Sequence, residues 1–405
     1  MTAIFAILVD SYRALKAQKL FKTVLVLSML VIVGYASFGF NDKGVFLFFG
    51  AMQIETEYFK AGTPLASTLY TGIFSAFIVS LWLGWVATIL ALISTSSIYP
   101  QFLSAGSVEL VMSKPIRRTT MFIAKYIGGL LFVILQVGLF CLGAFLVTGW
   151  RIGEWNPAIF LAIPLVTVFF SYLFCVNTLV GVLTRSTLVA LLFTLLFWFL
   201  TFSVRTADDV LNTFQFQAEG MVAVQEQTLE TARAQLVGFR DELESLEESG
   251  TESGREYYQS QIKRMEVIVE EDEALLQGRQ DALAQLRPWV TVLDVIRWPL
   301  PETQRTIGLL QRWVDQGKSV TMNDILTGRF IEEEQERLEA EEDTSADIGR
   351  ERGGWKERRQ QRREAESRMI DREEDVSAAS IIGWSLLFEL VILILAWWIF
   401  VRRDY

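Results

Sequence analysis

Apolar residues in this chain gather into six long runs, at about 22–40, 70–96, 120–148, 158–183, 187–206 and 379–401, and most of the charge is confined to the stretch 207–378. A helix crossing roughly 30 Å of hydrocarbon needs about 20 apolar residues, so each run predicts a transmembrane helix. The pattern inside 207–378 is different. Leu229, Ala232, Leu236, Phe239, Leu243 and Leu246 recur at alternating steps of three and four. After Ser249-Gly250-Thr251-Glu252-Ser253-Gly254, a stretch with turn chemistry, the same rhythm resumes at Tyr258, Ile262, Met265, Val269, Asp272, Leu276, Arg279, Leu283 and Leu286. Two heptad helices around a Gly-containing turn predict an antiparallel hairpin with arms about 50 Å long. Asp272 and Arg279 interrupt the second seam, and Pro288 is expected to end that arm.

The fold expected is an all-α polytopic membrane protein, with six spans and an extracytoplasmic coiled-coil hairpin. Residues 1–21 form an amphipathic helix, with Ile4, Phe5, Leu8, Tyr12 and Leu15 opposing Asp10, Arg13 and Lys16. It either lies at the membrane interface or extends the first span into water. Residues 22–206 hold spans one to five, with a polar turn at 97–119. The insert 207–378 divides into the hairpin 216–286, a compact segment 287–330 and a charged linker 331–378. Residues 379–405 are span six and a tail. The loop 41–69 carries an apolar patch, Val45 to Met52, able to fold back into the interface. A short helix with Ile307, Leu310 and Val314 on one face is expected within 287–330. The linker is acidic from Glu332 to Asp343 and basic from Arg350 to Arg363, a solvated segment or a self-pairing one.

Charge sets the orientation. The segments up to and including Lys22, at 97–119, at 184–186 and after 401 carry ten Lys and Arg residues, and the short loops 41–69 and 149–157 carry three. Basic residues in short loops stay inside, which places both termini in the cytoplasm and 207–378 outside. The first run lies behind a polar leader without a small-residue cleavage site, so the N-terminus is expected to be retained.

The net charge is −10 and the chain has no histidine, which removes His-based zinc sites, Ser-His triads and histidine proton relays. The two cysteines, Cys141 and Cys175, lie in apolar runs and read as packing residues. Gly317-Lys318-Ser319 suggests a phosphate loop, but the glycine required five positions earlier is Arg312. The chain is therefore not expected to be an enzyme or to hold a cofactor or metal, and ATP, if used, belongs to another subunit. Inside the spans, Glu389 is a costly carboxylate that either lines a translocation path or pairs with a neighbouring helix. Asn177 is neutral, and helix–helix hydrogen bonding is its expected role, with the path as the alternative. Trp384, Trp397 and Trp398 suit an interfacial belt.

The segment 98–126, IYPQFLSAGSVELVMSKPIRRTTMFIAKY, resembles the cytoplasmic loop of ABC-2-type transporter permeases. Gly106, Glu109, Ser113-Lys114-Pro115, Arg118 and Lys125-Tyr126 match the recurring glycine, acidic helix, SKP-x-x-R turn and K-Y pair. The six-span order, the amphipathic N-terminus and the ending Arg402-Arg403-Asp404-Tyr405 look like that family as well. The resemblance covers about 1–206 and 379–405, while the insert departs from it. It implies an exporter half, paired with a second permease copy or a homologous permease in the cytoplasmic (inner) membrane, above an ABC ATPase that binds ATP and Mg. The turn from Ser104 to Arg118 would then couple the two, through Gly106, Glu109, Lys114, Pro115, Arg117, Arg118 and Lys125. Two other functions remain open. One is ATP-driven transmission of force through the hairpin to an extracytoplasmic partner, and the other is a membrane coiled-coil scaffold without an ATPase.

Overall fold

A computed structural model describes residues 19–55, 60, 62–103, 117–153, 155–248, 254–314 and 377–403. The amphipathic N-terminal stretch, the centre of the polar turn, the tip of the hairpin and the charged linker lie outside these residues. What is described is predominantly helical. The helices are α1 (Lys19–Ser37), α2 (Pro64–Ile73, continuing through Phe74–Ala87 and Thr88–Thr95), α3 (Ile98–Phe102), α4 (Arg118–Ile152), α5 (Ala162–Thr184), α6 (Thr187–Glu248), α7 (Arg255–Arg297), α8 (Thr303–Val314) and α9 (Ala378–Arg402). Five stretches among the described residues are helical, long and apolar enough to cross a membrane: Leu81–Phe102, Arg118–Ile152, Pro157–Thr184, Thr187–Glu247 and Ala378–Arg402. Lys22–Ser37 is a shorter apolar helix. The chain divides into two units. One holds the helices up to Thr201 and those from Pro301 onward, and the other runs from Phe202 to Leu300.

In the first unit α5 is the central helix, with 67% of its apolar window buried. A one-turn 3₁₀ segment, Pro157–Leu161, leads into it. The Asn156 side chain accepts a hydrogen bond from the Ala158 N–H there, and Pro157 occupies a position where no N–H is needed. Its other end closes on Arg185 in the left-handed region, at φ 55°. Helices α4 and α9 flank α5. Gly129 permits the approach of α4, since a Cβ there would stand 2.5 Å from the Phe174 ring. The middle of α2, Phe74–Ala87, is wound in wide i→i+5 turns.

The loop read as an apolar patch is an antiparallel ribbon of three short strands, β1 (Gly39–Asn41), β2 (Gly44–Leu47) and β3 (Met52–Glu55), in the order β1-β2-β3. Asn41 Oδ1 accepts from the Lys43 N–H at 3.0 Å, and Gly44 follows at φ 131°, which makes the first hairpin turn. The Arg151 guanidinium lies over the rings of Phe46 and Phe49 and donates to the Ala36 carbonyl, so the ribbon and the end of α1 share one cation.

In the second unit α6 and α7 run antiparallel. Arg240 pairs with Glu266 and Arg233 with Glu273, each at 2.7 Å, Arg279 donates to the Met221 carbonyl at 2.9 Å, and Arg297 pairs with Asp208. Leu229, Ala232, Leu236 and Leu283, all on the expected seams, are the buried apolar side chains of this unit's paired helices. Pro288 does not end the second arm, because α7 continues to Arg297. An interior proline costs about 3 kcal/mol, since its missing N–H leaves the carbonyl four residues earlier without a partner. Here Ala284 and Pro288 are both exposed, so water can serve that carbonyl. Beyond the proline, Val290, Leu293 and Arg297 return to the seam half-buried and hold the last turns in place.

The unit boundary at Leu300 and Pro301 falls inside the stretch 287–330. Helix α8 forms as expected and belongs to the first unit, where Thr306, Leu309 and Leu310 are buried against α5, α9 and the Phe74–Ala87 turns. The Ser385 hydroxyl on α9 accepts from the Glu302 N–H at 2.8 Å and fixes its start.

Candidate functional site

Among the described residues, two clusters of polar side chains lie between the long apolar helices. The first is built on helix ends, where the last carbonyls of a helix have no partner and its dipole favours a cation. Arg117 is extended (φ −64°, ψ 137°) and exposed, and Arg118 begins α4. The Arg118 guanidinium donates to the carbonyls of Val401 and Arg403, at 3.0 and 3.2 Å, and so caps α9. Arg403 in turn donates to the carbonyls of Val182 and Leu183, at 2.7 and 2.9 Å, and caps α5. Trp397 Nε1 donates to Thr119 Oγ1 at 3.2 Å. Aromatic contacts fill the space below. Phe400 meets Phe102 and Phe122 with ring centroids 6.1 and 5.5 Å away, and the Tyr99 hydroxyl donates to the Phe122 carbonyl at 2.9 Å. Lys125 Nζ stands 5.7 Å from the Phe102 centroid. The start of α4, the ends of α5 and α9, and α3 are thus tied together at the place where the polar turn enters α4.

Of the residues matched to the coupling turn, Gly106, Glu109, Lys114 and Pro115 lie outside the described residues. Arg117, Arg118 and Lys125 are described, and Arg118 and Lys125 stand about two turns apart at the start of α4. The ending Arg402-Arg403 serves this cluster too, since Arg403 caps α5 and Arg402 lies over the Trp398 ring at 4.6 Å. Helix capping by Arg403 was not visible in sequence, although a cation just past an apolar helix is the signal for it.

The second cluster is at Glu389, near the middle of α9 and 8% exposed. The Tyr126 hydroxyl from α4 donates to Oε1 at 2.7 Å, and the Ser171 hydroxyl from α5 donates to Oε2 at 2.6 Å. The Tyr126 ring stacks on Phe174, with centroids 5.1 Å apart. Glu389 therefore binds three helices at one point inside an aromatic shell. Asn177 is elsewhere on α5, where its Nδ2 donates to Thr194 Oγ1 of α6 at 3.3 Å. The structure gives Glu389 and Asn177 separate partners and does not join them in one site. Sequence reasoning missed Tyr126 and Ser171 as partners, and the only signal was that a carboxylate in mid-span demands donors.

Cys141 and Cys175 are buried among the same helices, and the Cys175 thiol donates to the Tyr172 carbonyl. Among the described residues no group of three His, Cys, Asp or Glu side chains gathers closely enough to hold a metal ion.

The Glu389 cluster separates the two roles left open by the sequence. Glu389→Ala removes the acceptor that joins two buried hydroxyls, which fall back on the Ser171 and Val168 carbonyls, and with hydrogen bonds in membranes worth about 0.6 kcal/mol on average it is expected to cost about 1–2 kcal/mol. Thermal aggregation of the detergent-solubilised chain reads this loss. Glu389→Gln keeps the acceptor oxygen and is expected to lose less than half as much. If Glu389→Gln instead abolished activity at unchanged stability, the carboxylate would belong to a path and not to a packing contact.

No family model, curated protein or solved structure matches this chain.

Proposed function

We propose that this chain is the permease subunit of an ATP-binding-cassette exporter, driven by an ATPase on a separate polypeptide. The observation that carries this reading is the Arg118–Arg403 relay. It joins the end of a basic turn, whose residues resemble the ABC-2 coupling loop, to two span helices that are remote in sequence. A push on Ser104 to Arg118 would move α4, and through the two guanidinium caps it would move α9 and α5 with it. ATP binding in trans would then bias the bundle between access states, because a ligand shifts a conformational equilibrium by its difference in affinity for the two states.

In this proposal Lys22–Ser37 is the first of six spans, both termini are cytoplasmic, and the stretch 207–378, with its coiled-coil hairpin, is extracytoplasmic in an inner membrane. Two permease copies pair above the ATPases, which supply the ATP and Mg sites. A second reading has the same machinery transmit force to an extracytoplasmic partner without moving a solute. The observation favouring it is that α6 is one unbroken helix of 62 residues, from apolar span into hairpin.

Purification of the full chain from its native membranes in mild detergent is expected to bring down a stoichiometric ATPase. Its hydrolysis should fall about tenfold or more in Glu109→Ala, the loss of roughly 1.4 kcal/mol of coupling. A chain that carries no ATPase would overturn both readings and leave the scaffold. Deleting 216–286 separates the two readings. ATP hydrolysis should survive in either case, solute export should survive only in the first, and partner activation should be lost in the second.

A further inference from the structure

The paired helices α6 and α7 have two unlike faces. The cross-helix contacts Arg233–Glu273, Arg240–Glu266 and Gln280–Glu226 all bridge one side of the seam. Helical periodicity assigns the remaining charges of the lower hairpin. Between Ala207 and Gly238 the charged residues of α6 are Asp208, in the seam, and Asp209, Glu219, Glu226, Glu230 and Arg233, on the bridged side. Between Leu275 and Ile296, α7 keeps Arg279 in the seam, Arg287 and Asp294 on the bridged side, and Asp281 at the outer edge.

The opposite face is left without charge. Its residues lie one position before each seam residue on both helices, which in an antiparallel pair puts them on one side. They include Phe214, Met221 and Val224 of α6 and Leu275, Trp289 and Val292 of α7, exposed by 49% to 64%. Thr228, Thr231 and Gln285 lie between them and are neutral.

We propose that this face is the contact between two copies of the chain, so that two hairpins meet as a four-helix bundle. The proposal rests on the paired-permease reading above and names the surface that does the pairing outside the spans. Three features select a second copy as the occupant. A twofold contact sets each residue against the same surface patch of its partner, and a face without charge meets its own copy with no like charges opposed. The Gln285 amide both donates and accepts, so it can bond to its own counterpart, while the Thr228 and Thr231 hydroxyls, which donate to the Val224 and Gln227 carbonyls, remain able to accept. The area also suffices. From Ala207 to Thr231 the face is roughly 37 Å long, and two helices about 9 Å apart make it about 18 Å wide. That gives on the order of 600–700 Å² per copy, within the range of a specific dimer, roughly 600–1,000 Å² a side.

Cysteine cross-linking of the full chain in native membranes tests this. Single cysteines are placed at Val224, Thr228 and Thr231 on the uncharged face and at Glu219, Glu226 and Glu230 on the charged face, and treated with a short bis-maleimide. Cys141 and Cys175 are buried, and the unsubstituted chain gives the background. The expected result is about tenfold more cross-linked dimer from the uncharged face, and a drop of similar size when Val224→Glu is added to the Thr228 and Thr231 cysteine variants, each equivalent to about 1.4 kcal/mol. Equal yields from the two faces, or none from either, overturn the proposal. So does labelling of the Thr228 and Thr231 positions by a photoactivatable lipid in place of a second chain. Counting copies by single-molecule photobleaching separates the two levels. Two copies without face-specific cross-links sink this interface alone, and one copy sinks the paired permease with it.

Discussion

Replacing Arg118 by alanine is expected, if the chain works with an ATPase as proposed, to cut ATP hydrolysis about 10- to 30-fold without unfolding the apolar helices. The guanidinium makes two bonds to carbonyls at the end of α9. Charge-assisted bonds of this kind are worth about 1.5–3 kcal/mol, and a cation at a helix C-terminus adds up to about 1 kcal/mol at a partly exposed site. A loss of about 2 kcal/mol in the joint corresponds to roughly 30-fold in a conformational equilibrium. Arg118→Lys keeps the charge but not the two-armed geometry, and should recover part of the rate. Arg403→Ala is the sharper comparison. Arg403 follows α9 and is not part of the turn, yet it carries the relay onward to α5 through Val182 and Leu183. If force passes along the relay, Arg403→Ala should also uncouple the ATPase, by a similar factor. An Arg403→Ala protein with full hydrolysis beside a crippled Arg118→Ala protein would make Arg118 a docking contact and remove the relay from the mechanism.

Local pattern and long-range pairing separate what was legible in the sequence from what was not. The inward face of each helix was legible, because a heptad needs only its own residues to declare a face: Leu229, Ala232, Leu236 and Leu283 are buried, and the other apolar positions it named are half-buried. Even the two interruptions are resolved within the pair. Asp272 accepts from Gln225 at 2.8 Å, and Arg279 reaches the Met221 carbonyl. The strands at 39–55 were missed because each is three or four residues long, and an apolar patch of that size has no period to read. The turn chemistry of Asn41 and Gly44 was the available signal. Pro288 misled because a local rule was outweighed by packing on both sides of it. The site residues were half legible. Arg118 and Glu389 announce themselves as charges at or inside apolar helices. Their partners do not, since Tyr126 and Val401 lie 263 and 283 residues away in sequence and only the fold brings them close.

The largest structural effect is expected at the far end of α7. Asp208 is 1% exposed, and Arg297 pairs with it from the turns beyond Pro288. Removing one member of a buried pair costs about 3–5 kcal/mol, because the other charge stays behind without compensation. The Arg297 side chain is 25% exposed and keeps Asp294 at 3.6 Å, so water and that carboxylate recover part of the loss, and the lower end, about 3 kcal/mol, is expected for Asp208→Ala. The loss should be local. Pro288 removes a rung of the helix, so residues 289–297 depend on the seam and on this pair to remain helical, while Leu283 and the turns before it are held independently. Amide hydrogen exchange should accelerate by roughly 100-fold across 289–297 and change little in 255–283. Arg297→Ala should produce the same pattern. The double variant should cost less than the sum of the two, because the second substitution removes the stranded charge. Asp241→Ala, at an exposed position on the same hairpin, should stay within about 0.5 kcal/mol. Functionally, a hairpin loosened at this point separates the two proposed roles. A solute exporter would keep its ATP-driven flux with 289–297 unprotected. A force-transmitting machine would hydrolyse ATP normally and lose the work done on its partner, since a melted segment of α7 cannot carry a push.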